Sequence, residues 1–478
     1  MTAPPEIASR APEPPYSPER HPASYRDPDS TVLVLGPRVL RGFSAGGAER
    51  LRSVRETGLL DELTAAGFVV ATRDAPDMAG QPALAAYAKV VEHDALPFIS
   101  HPHEWPFALL RSAALLHLDI HARALERGVT LSDASAYNVQ FRGAKPVFID
   151  VGSFRPYAEG ELWSAHSQFC EPFLTPLLLA SEFGIPFNAW LRGSPEGIPT
   201  ASIAALMPLR RWLSPRHLFH VLLPARAEKV SRQREGATVE RIRSARLPRE
   251  GYRAMLGQLR RWIESLAPAG VASTTWADYS ETRTYASSEL AEKRRAVADF
   301  AAHYRPAMLW DLGCNDGEFA ELALRNGAGR AIGFDSDAGA LDRACARAAA
   351  NGLDLLPLFQ DAADPSPGSG WRARERAALL DRPRPDAVMA LAFEHHLALG
   401  RNIPLAEVVG LLVELAPRGL LEFVPKADRT VQRMLALKGD IFPDYDEAAF
   451  ERLLAARARI VGNERISESG RRLYRFER

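Results

Sequence analysis

Short apolar runs alternate with helical stretches through the second half of the chain, and no other feature of the sequence restricts its fold as strongly. The run AMLWDLG precedes the helical stretch DGEFAELALRNG, and RAIGFDSD precedes AGALDRACARAAANG. Three more apolar runs follow, DLLPLFQD, PDAVMALAF and RGLLEFV. This alternation predicts an α/β fold with a parallel sheet that helices cover on both faces. The final segment, RISESGRRLYRFER, predicts an antiparallel hairpin that turns at Ser469-Gly470.

Small and turn-prone residues follow the first predicted strand, at Gly313, Asn315 and Gly317. Ligands of parallel sheets bind beyond the carboxyl ends of the strands, where such a turn lies. Glycine and asparagine also tolerate the left-handed backbone that brings a turn close to a ligand. The spacing differs from the G-x-G-x-x-G of dinucleotide folds, and the acids Asp311 and Glu318 would repel phosphates. We therefore expect a ligand with a positive centre and a free amine.

The segment from Asp311 to Glu318 resembles the first motif of the class I S-adenosylmethionine-dependent methyltransferases, and the resemblance extends over residues 276–478. It implies a Rossmann-like, seven-stranded methyltransferase sheet with a terminal antiparallel hairpin, and S-adenosyl-L-methionine as the cofactor. The whole chain is also similar to bacterial methyltransferases grouped with nodulation host-specificity proteins. This second resemblance does not fix the methyl acceptor.

Three acids follow three successive predicted strands, and the methyltransferase resemblance gives each of them a part of the cofactor. It implies that Asp311 lies near the methionine amino end, that Asp335 binds the ribose hydroxyls and that Asp361 contacts the adenine amino group. Asp337 is the alternative for the ribose. An ordinary helix cap or turn is the other interpretation of each acid. The cofactor-binding residues that the resemblance implies are Asp311, Gly313, Cys314, Asn315, Gly317, Asp335, Ser336, Asp361, Ala362 and Leu391.

Polar side chains follow the fourth predicted strand, in ALAFEHHLA. The resemblance implies that this segment faces the transferred methyl group, so Glu394, His395 and His396 are the candidate catalytic residues. A histidine can act as a general base near neutral pH. Adjacent side chains point in different directions, so at most one histidine is expected to face the cavity. Packing or capping is the alternative interpretation of either histidine, and we expect no metal site here because further ligands are lacking in the sequence nearby.

Two more segments of the second half have alternative interpretations. Glu422, Pro425 and Lys426 follow the fifth predicted strand, and they either line the acceptor side or form a charge pair at the end of the sheet. Aromatic residues and a lysine upstream of the first strand resemble the lead-in helix that folds over the cofactor in many methyltransferases, or else only pack against the sheet. These residues are Trp276, Tyr279, Tyr285 and Lys293.

The first half contains a second, shorter signal in LSDASAYNVQFRGAKPVFIDVGSF. Asp133, Asn138 and Asp150 resemble the catalytic loop and the metal-binding D-x-G of kinase-like and aminoglycoside-phosphotransferase-like folds, where they would be the base and two magnesium ligands. The pattern departs from these families because Lys89 is the only lysine before Asp133 and leaves little room for the helix that bears its acidic partner. A degenerate kinase-like scaffold, a phosphotransferase and an unrelated hairpin remain open. The alternative function is thus nucleotide binding or phosphotransfer here, with the second half as a cofactor-binding module.

The composition divides the chain into three parts. We expect a disordered leader at residues 1–30, which are rich in Pro, Ser and charge. An α+β kinase-like domain with a helical, Arg-rich extension is expected over residues 31–266, and the methyltransferase domain over residues 275–478. The stretch APAGVASTT marks the boundary between them. No apolar stretch is long enough to predict a membrane span.

Charge and cysteine content restrict the partners and the compartment. The 59 basic and 59 acidic residues balance, so no overall field attracts nucleic acid or an anionic membrane, and a small-molecule, glycan or lipid-linked acceptor is expected. The Arg-rich stretch around residues 206–266 is interpreted as a solvated helical face.

Cys170, Cys314 and Cys345 are widely spaced, which predicts neither a disulfide framework nor a thiolate metal site and fits a reducing cytoplasm. Abundant alanine and scarce lysine are typical of a GC-rich bacterium.

Overall fold

The computed structural model describes residues 17–78, 80–226, 246–269 and 287–478. Its first part begins with an antiparallel sheet of five strands in the order β1-β2-β3-β5-β4, with two helices between the third and fourth strands. The strands are β1 Glu19–Arg20, β2 Ser30–Leu35, β3 Arg38–Phe43, β4 Thr72–Asp74 and β5 Lys89–His93. The helices are α1 Ala45–Glu56 and α2 Leu59–Ala65.

A long helix, α3 Phe107–Glu126, is the centre of the rest of the first part. Its apolar residues recur at helical spacing and are buried on nearly all sides, as expected of a core helix. Two small antiparallel pairs follow it, β6 Val129–Leu131 with β9 Phe154–Pro156 and β7 Val139–Arg142 with β8 Lys145–Phe148. The later helices are α4 His166–Phe169, α5 Thr175–Phe183, α6 Asn188–Gly193, α7 Thr200–Leu206, α8 Leu209–Trp212, α9 Pro215–His217 and α10 Arg249–Glu264, with π-helical segments at Cys170–Leu174 and Leu218–Leu222.

The second part opens with helix α11 Ser287–Tyr304 and then alternates strands with helices. The strands are β10 Met308–Leu312, β11 Arg330–Asp335, β12 Leu355–Phe359, β13 Ala387–Ala390, β14 Arg418–Phe423, β15 Arg459–Arg465 and β16 Arg472–Glu477. The helices are α12 Glu318–Arg325, α13 Ala338–Asn351, α14 Leu405–Leu415, α15 Arg429–Lys438 and α16 Glu447–Ala455, with a π-helical segment at His396–Gly400.

These seven strands form one mixed sheet in the order β12-β11-β10-β13-β14-β16-β15. Strands β10 to β14 run parallel, whereas β16 pairs antiparallel with both β14 and β15. The predicted parallel sheet with a terminal antiparallel hairpin is therefore confirmed. The strand order reverses between β10 and β13, and parallel sheets bind ligands at the carboxyl ends of the strands beside such a point.

The two parts of the structure pack directly against each other. The ring of Phe98, from the first part, lies edge-on to Trp310 and Phe334 of the sheet, with ring centroids 6.1 and 6.5 Å apart. A buried ion pair joins Glu104 of the first part to Arg382, which follows β12, at 2.7 and 2.8 Å. The connection from β12 to β13 is thereby anchored on the first part of the chain.

Residues 17–30 differ from the predicted disordered leader. Strand β1 pairs with β2, and the Tyr25 hydroxyl donates a hydrogen bond to Glu375 at 2.8 Å. Arg26 also binds Glu375, at 3.2 Å. The prediction is wrong for these residues because strand pairing and contacts distant in sequence order them, whereas residues 1–16 lie outside the described part of the chain.

Two other sequence predictions fall on segments that the structure does not describe. The predicted domain boundary lies partly within residues 270–286, and so do Trp276, Tyr279 and Tyr285. Within the described ranges, the structure contains no helix with both the length and the apolar character needed to cross a membrane.

Candidate active site

A cavity of about 450 Å³ lies at the carboxyl ends of the parallel strands. The loops that follow β10, β11, β12 and β13 form its walls, and helix α11 contributes Leu290 and Lys293. The cavity is therefore placed where the strand order of the sheet predicts a ligand.

The turn after β10 enters the left-handed region three times, at Gly313 (φ 73°), Asn315 (φ 49°) and Gly317 (φ 77°). A Cβ atom at Gly313 would lie 3.1 Å from the Phe393 ring, so the bare backbone lets the turn approach the loop after β13. Asparagine is among the few residues with a side chain that adopt this conformation readily. The backbone of the turn thus follows the path that the sequence predicts.

Gly317 serves packing and does not line the cavity. It precedes helix α12, and a Cβ atom there would lie 2.9 Å from Leu355 Cδ2 and 3.4 Å from the Cβ of Ala344. The role of Gly317 toward a ligand stays a prediction, whereas its lack of a side chain lets α12 approach the sheet.

Asp311 is a buried acid that forms no ion pair with any residue that the structure describes. Its side chain is 2% exposed and lines the cavity, and its Oδ2 atom has no hydrogen-bond partner within the described residues. Burial, and secondarily the negative charge of Asp335, raise the pKa of Asp311 to about 7. A buried acceptor of this kind fits a ligand that brings a donor or a positive charge.

Asp335 closes β11 and holds the turn opposite. Its Oδ2 accepts a hydrogen bond from the Asn315 amide at 2.8 Å, and its Oδ1 accepts one from the Asp337 amide at 2.9 Å. Burial raises the pKa of Asp335, and these hydrogen bonds oppose the rise. Each carboxylate oxygen has a second lone pair, so both can still accept from a vicinal diol.

Asp337, the predicted alternative to Asp335, has another role. Its Oδ1 accepts a hydrogen bond from the Ala340 amide at 2.8 Å and so caps helix α13. The cap interpretation holds for this residue, although Asp337 also lines the cavity.

Asp361 follows β12 at the far side of the cavity. Its Oδ1 accepts from the Ala363 amide at 3.0 Å, and its Oδ2 accepts from Arg401 at 2.5 Å. The preceding residue, Gln360, also lines the cavity and donates to Glu104 at 2.9 Å. One wall of the cavity therefore depends on a residue of the first part of the chain.

The three candidate catalytic residues are not brought together in the cavity. His396 lines it, whereas Glu394 and His395 do not. Glu394 accepts hydrogen bonds from the Val424 amide (2.9 Å) and the Tyr445 hydroxyl (2.8 Å), so it joins the end of β14 to the core. The structure therefore places Glu394 and His395 outside the cavity lining: Glu394 is directed to the end of β14, and the His395 ring lies beside the His396 ring, with centroids 4.1 Å apart.

His396 is neutral at physiological pH. Burial, with smaller contributions from the positive charges of His395 and Arg471, lowers the pKa of His396 to about 3. A neutral imidazole can orient an acceptor by a hydrogen bond, but with this pKa it is a weak general base at pH 7.

A buried charge network closes the cavity beside helix α11. Lys293 Nζ lies 2.7 Å from Glu422, and Arg471 lies 3.2 Å from the same carboxylate and 2.8 Å from Asp428. The charge-pair interpretation of Glu422 is therefore the one that the structure supports. Lys426 instead donates to Asp440 at 2.8 Å, outside the cavity.

Most of the predicted cofactor-binding residues converge on this cavity, and several residues that sequence reasoning missed join them. The predicted residues that line it are Asp311, Gly313, Cys314, Asn315, Asp335, Ser336, Asp361, Ala362, Leu391 and His396. The missed residues include Leu290, Phe319, Gln360, Leu397 and Arg401. Their only sequence signal is adjacency to a predicted turn or, for Leu290, a place in the predicted lead-in helix, and neither reveals the direction of a side chain.

The kinase-like residues of the first half contact protein groups in the described part of the chain. Asp150 forms an ion pair with Arg41 at 2.6 Å, so a guanidinium lies where a magnesium ion would be needed. Asp133 accepts hydrogen bonds from the Ser135 amide and the Gln168 side chain. The cavity beside Gly152 measures about 10 Å³, enough for a water molecule. The kinase-like resemblance stays a prediction without support.

No family model matches the chain. The chain is 43% identical over 461 residues to the nodulation protein NoeA of Rhizobium meliloti (strain 1021), a match that covers 96% of each protein. It is similar to the solved magnesium protoporphyrin IX methyltransferase of Synechocystis PCC 6803 with bound SAH, at 18% identity and a TM-score of 0.30, over 46% of this chain and 94% of that one. A second similar structure is the N-methyltransferase NodS of Bradyrhizobium japonicum WM9 in complex with S-adenosyl-L-homocysteine, at 14% identity and a TM-score of 0.32, over 41% of this chain and 90% of that one. At these scores the two structures carry no argument about activity.

Proposed function

Because the chain belongs to the family of the nodulation protein NoeA, a name that states no reaction, we propose its function from its own cavity. We propose that it is a methyltransferase that uses S-adenosylmethionine as the methyl donor. The sulfonium of this cofactor makes the methyl carbon electrophilic. The protein then has mainly to hold the cofactor and to align an acceptor atom with the methyl group.

One observation carries the proposal. Asp311, Asp335 and Asp361 lie at or just beyond the ends of three neighbouring parallel strands and line a single cavity. Acidic walls disfavour a phosphate ligand and suit a cationic nucleoside. The order of the strands and the position of the cavity are those expected for a nucleoside-binding α/β sheet.

Each acid fits one part of the cofactor. We assign Asp335 to the ribose hydroxyls, since its two oxygens keep free lone pairs, and Asp361 to the adenine amino group. Asp311, whose Oδ2 has no partner within the described residues, is assigned to the methionine amino end. A donor from the ligand would satisfy this buried acceptor, and an unsatisfied buried polar atom destabilises the protein.

His396 and the loop after β13 are assigned to the acceptor. His396 and Phe393 line the cavity beside that loop, and the low pKa of His396 suits a hydrogen bond that orients the acceptor. The cavity measures about 450 Å³ and the chain has no net charge, so we propose a small-molecule or glycan-type acceptor. Nucleic acid would require a basic surface for its phosphates.

The proposal is tested by isothermal titration with S-adenosylhomocysteine. We expect the wild-type chain to bind one equivalent, and Asp335→Ala to bind at least about tenfold more weakly, because hydrogen bonds to a charged group contribute roughly 1.5–3 kcal/mol each. Asp354→Ala is the matched control, since this half-buried acid precedes β12, at the amino end of that strand, and pairs only with Arg330 among the ion pairs of the described residues. A wild-type chain that gives no binding heat, and no thermal stabilisation by the ligand, would contradict the proposal.

A further inference from the structure

Three potential metal ligands meet in the first part of the chain, outside the lining of the candidate active site. His166 begins α4, Cys170 begins the π-helical segment that continues it, and His220 lies in the π-helical segment Leu218–Leu222. Their ligand atoms all lie within 4.8 Å of one another. Cys170 and His220 are fully buried, and His166 is partly buried. Nothing in the proposed methyl transfer uses these residues.

The fold brings the three side chains together in two steps. His166 and Cys170 are four residues apart, so one helical face presents both. His220 comes from a segment about fifty residues later that packs beside this face, and its Nδ1 lies 3.0 Å from His166 Nε2. The rings of Trp163 and Trp262 flank the histidines, with centroids 5.4 Å from His166 and 6.0 Å from His220. Aromatic walls limit the access of water to the cluster.

Hydrogen bonds alone do not satisfy the polar atoms of this cluster. Cys170 Sγ lies 3.6 Å from His166 Nε2, the same atom that His220 approaches. A neutral imidazole nitrogen has either one proton or one lone pair, so His166 Nε2 cannot give each neighbour a full hydrogen bond. The other ring nitrogen of His220, Nε2, is buried without a hydrogen-bond partner in the described part of the chain.

We propose that His166 Nε2, Cys170 Sγ and His220 Nδ1 bind one Zn²⁺ ion. Tetrahedral zinc with Zn–N of about 2.0 Å and Zn–S of about 2.3 Å places nitrogen and sulfur ligands about 3.5 Å apart, and two nitrogens about 3.3 Å apart. Cys170 Sγ lies 3.6 Å from His166 Nε2, the two nitrogens are 3.0 Å apart, and the third pair of ligand atoms lies within 4.8 Å. Two imidazoles and a thiolate are ligands that zinc prefers, whereas calcium and magnesium prefer oxygen.

Zinc binding releases one proton from the protein. The Cys170 thiol loses its proton to solvent when the Zn–S bond forms, and both histidines bind through a nitrogen lone pair. A water molecule completes the fourth position. The ion would link the helices around residues 166–174 to the segment 218–222, and metal bound only to the folded state stabilises that state.

The first test is the metal content of the untagged, full-length chain, purified without chelators after growth in zinc-supplemented medium. Elemental analysis is expected to find about one zinc per chain in the wild type, and less than a tenth of that in Cys170→Ser and His220→Gln. Cys345→Ser is the matched control, because Cys345 is equally buried but lies in α13, and it is expected to retain the zinc. A wild-type chain without zinc, which also takes up none on dialysis against ZnCl₂, overturns the proposal.

Cobalt substitution of the wild-type chain is a second test, for the case that a variant does not fold. Cobalt(II) exchanged into the wild-type chain is expected to give the visible bands of a tetrahedral ion and a near-ultraviolet thiolate-to-cobalt charge-transfer band. The charge-transfer band is expected in Cys345→Ser and absent in Cys170→Ser. Cobalt that binds to the wild type without this band places the metal elsewhere and contradicts the assignment.

Discussion

Burial makes the ionised form of Asp311 unfavourable in the candidate active site. Because burial raises the pKa of Asp311 to about 7, the unliganded chain holds part of this carboxyl in its neutral form at physiological pH. A cationic ligand favours the ionised form, so binding lowers the pKa and releases a proton. The sign follows directly: affinity for such a ligand rises with pH until the carboxyl is ionised in the free protein.

We therefore predict that S-adenosylhomocysteine binds about tenfold more weakly for each pH unit below the pKa of Asp311, so that affinity falls from pH 7 to pH 5.5. Titration in two buffers with different ionisation enthalpies should also detect proton release. Asp311→Asn cannot ionise, and its affinity is expected to be lower and nearly independent of pH over this range. Equal pH dependence in the wild type and in Asp311→Asn would contradict the role of this carboxyl.

At the scale of single residues, the sequence was most informative where the backbone decides the position of a side chain. Asp311 lies in the last positions of β10 and Asp335 ends β11, so the sheet places both at the carboxyl ends of its strands. Glu394 and His395 follow a strand too, but the direction of each depends on a helical turn that begins there. Gly317 has the positive φ that the sequence predicts, yet only the packing of α12 on the sheet shows what its missing side chain allows.

The close contact of helix α12 with the sheet predicts that substitutions of two glycines differ in their effect on stability. A Cβ atom at Gly317 would meet Leu355 at 2.9 Å, whereas at Gly352, which also has a positive φ (60°), it would meet nothing within 4 Å. Gly352→Ala should therefore cost only the backbone strain, about 1–2 kcal/mol. Gly317→Ala should cost roughly 1–3 kcal/mol more, because the helix must also shift.

Urea unfolding followed by circular dichroism measures the difference between the two variants. If Gly317→Ala and Gly352→Ala lower the free energy of unfolding equally, close packing is not the reason for glycine at position 317.

The helices and strands of the second part could be predicted because local sequence patterns specify them. Each of β10 to β14 is a short apolar run, and α13 ends at Asn351 with Gly352 in the left-handed region, as the sequence indicates. The connection from β12 to β13 was not predicted, since residues 360–386 lack periodicity and form short turns held by contacts with distant residues. Among these are hydrogen bonds from His101 to Ala377 and from His103 to Ser366.

The interface between the two parts gives a prediction at the scale of the whole molecule. Glu104 and Arg382 are fully buried and doubly hydrogen-bonded, whereas Arg192 and Asp364 join the same two parts near the surface. Glu104→Gln leaves the Arg382 charge unpaired and should cost about 3–5 kcal/mol. Asp364→Asn is the matched change in the exposed pair and should cost at most about 1 kcal/mol.

Both variants can be compared by thermal unfolding and by titration with S-adenosylhomocysteine. Glu104→Gln is also expected to weaken ligand binding, because Glu104 accepts a hydrogen bond from Gln360 in the cavity wall. Comparable losses of stability in the two variants would show that the buried ion pair contributes no more than the exposed one to joining the two parts of the structure.

The sequence could not predict this interface. Glu104 lies more than two hundred positions from Gln360 and Arg382 in the chain, and each of these residues alone has the composition of an ordinary loop. The same reason applies to the cluster of His166, Cys170 and His220: the first two have helical spacing, but the third is placed beside them only by tertiary packing. Distances of this kind leave no local periodicity to recognise.

A crystal structure of the chain with S-adenosylhomocysteine decides whether Asp311, Asp335 and Asp361 hold one nucleoside between them. We expect the nucleoside in the cavity at the carboxyl ends of the strands, with the ribose hydroxyls on Asp335, the adenine amino group near Asp361 and the amino end near Asp311. A ligand bound at another surface, with these three carboxylates untouched, would contradict this expectation.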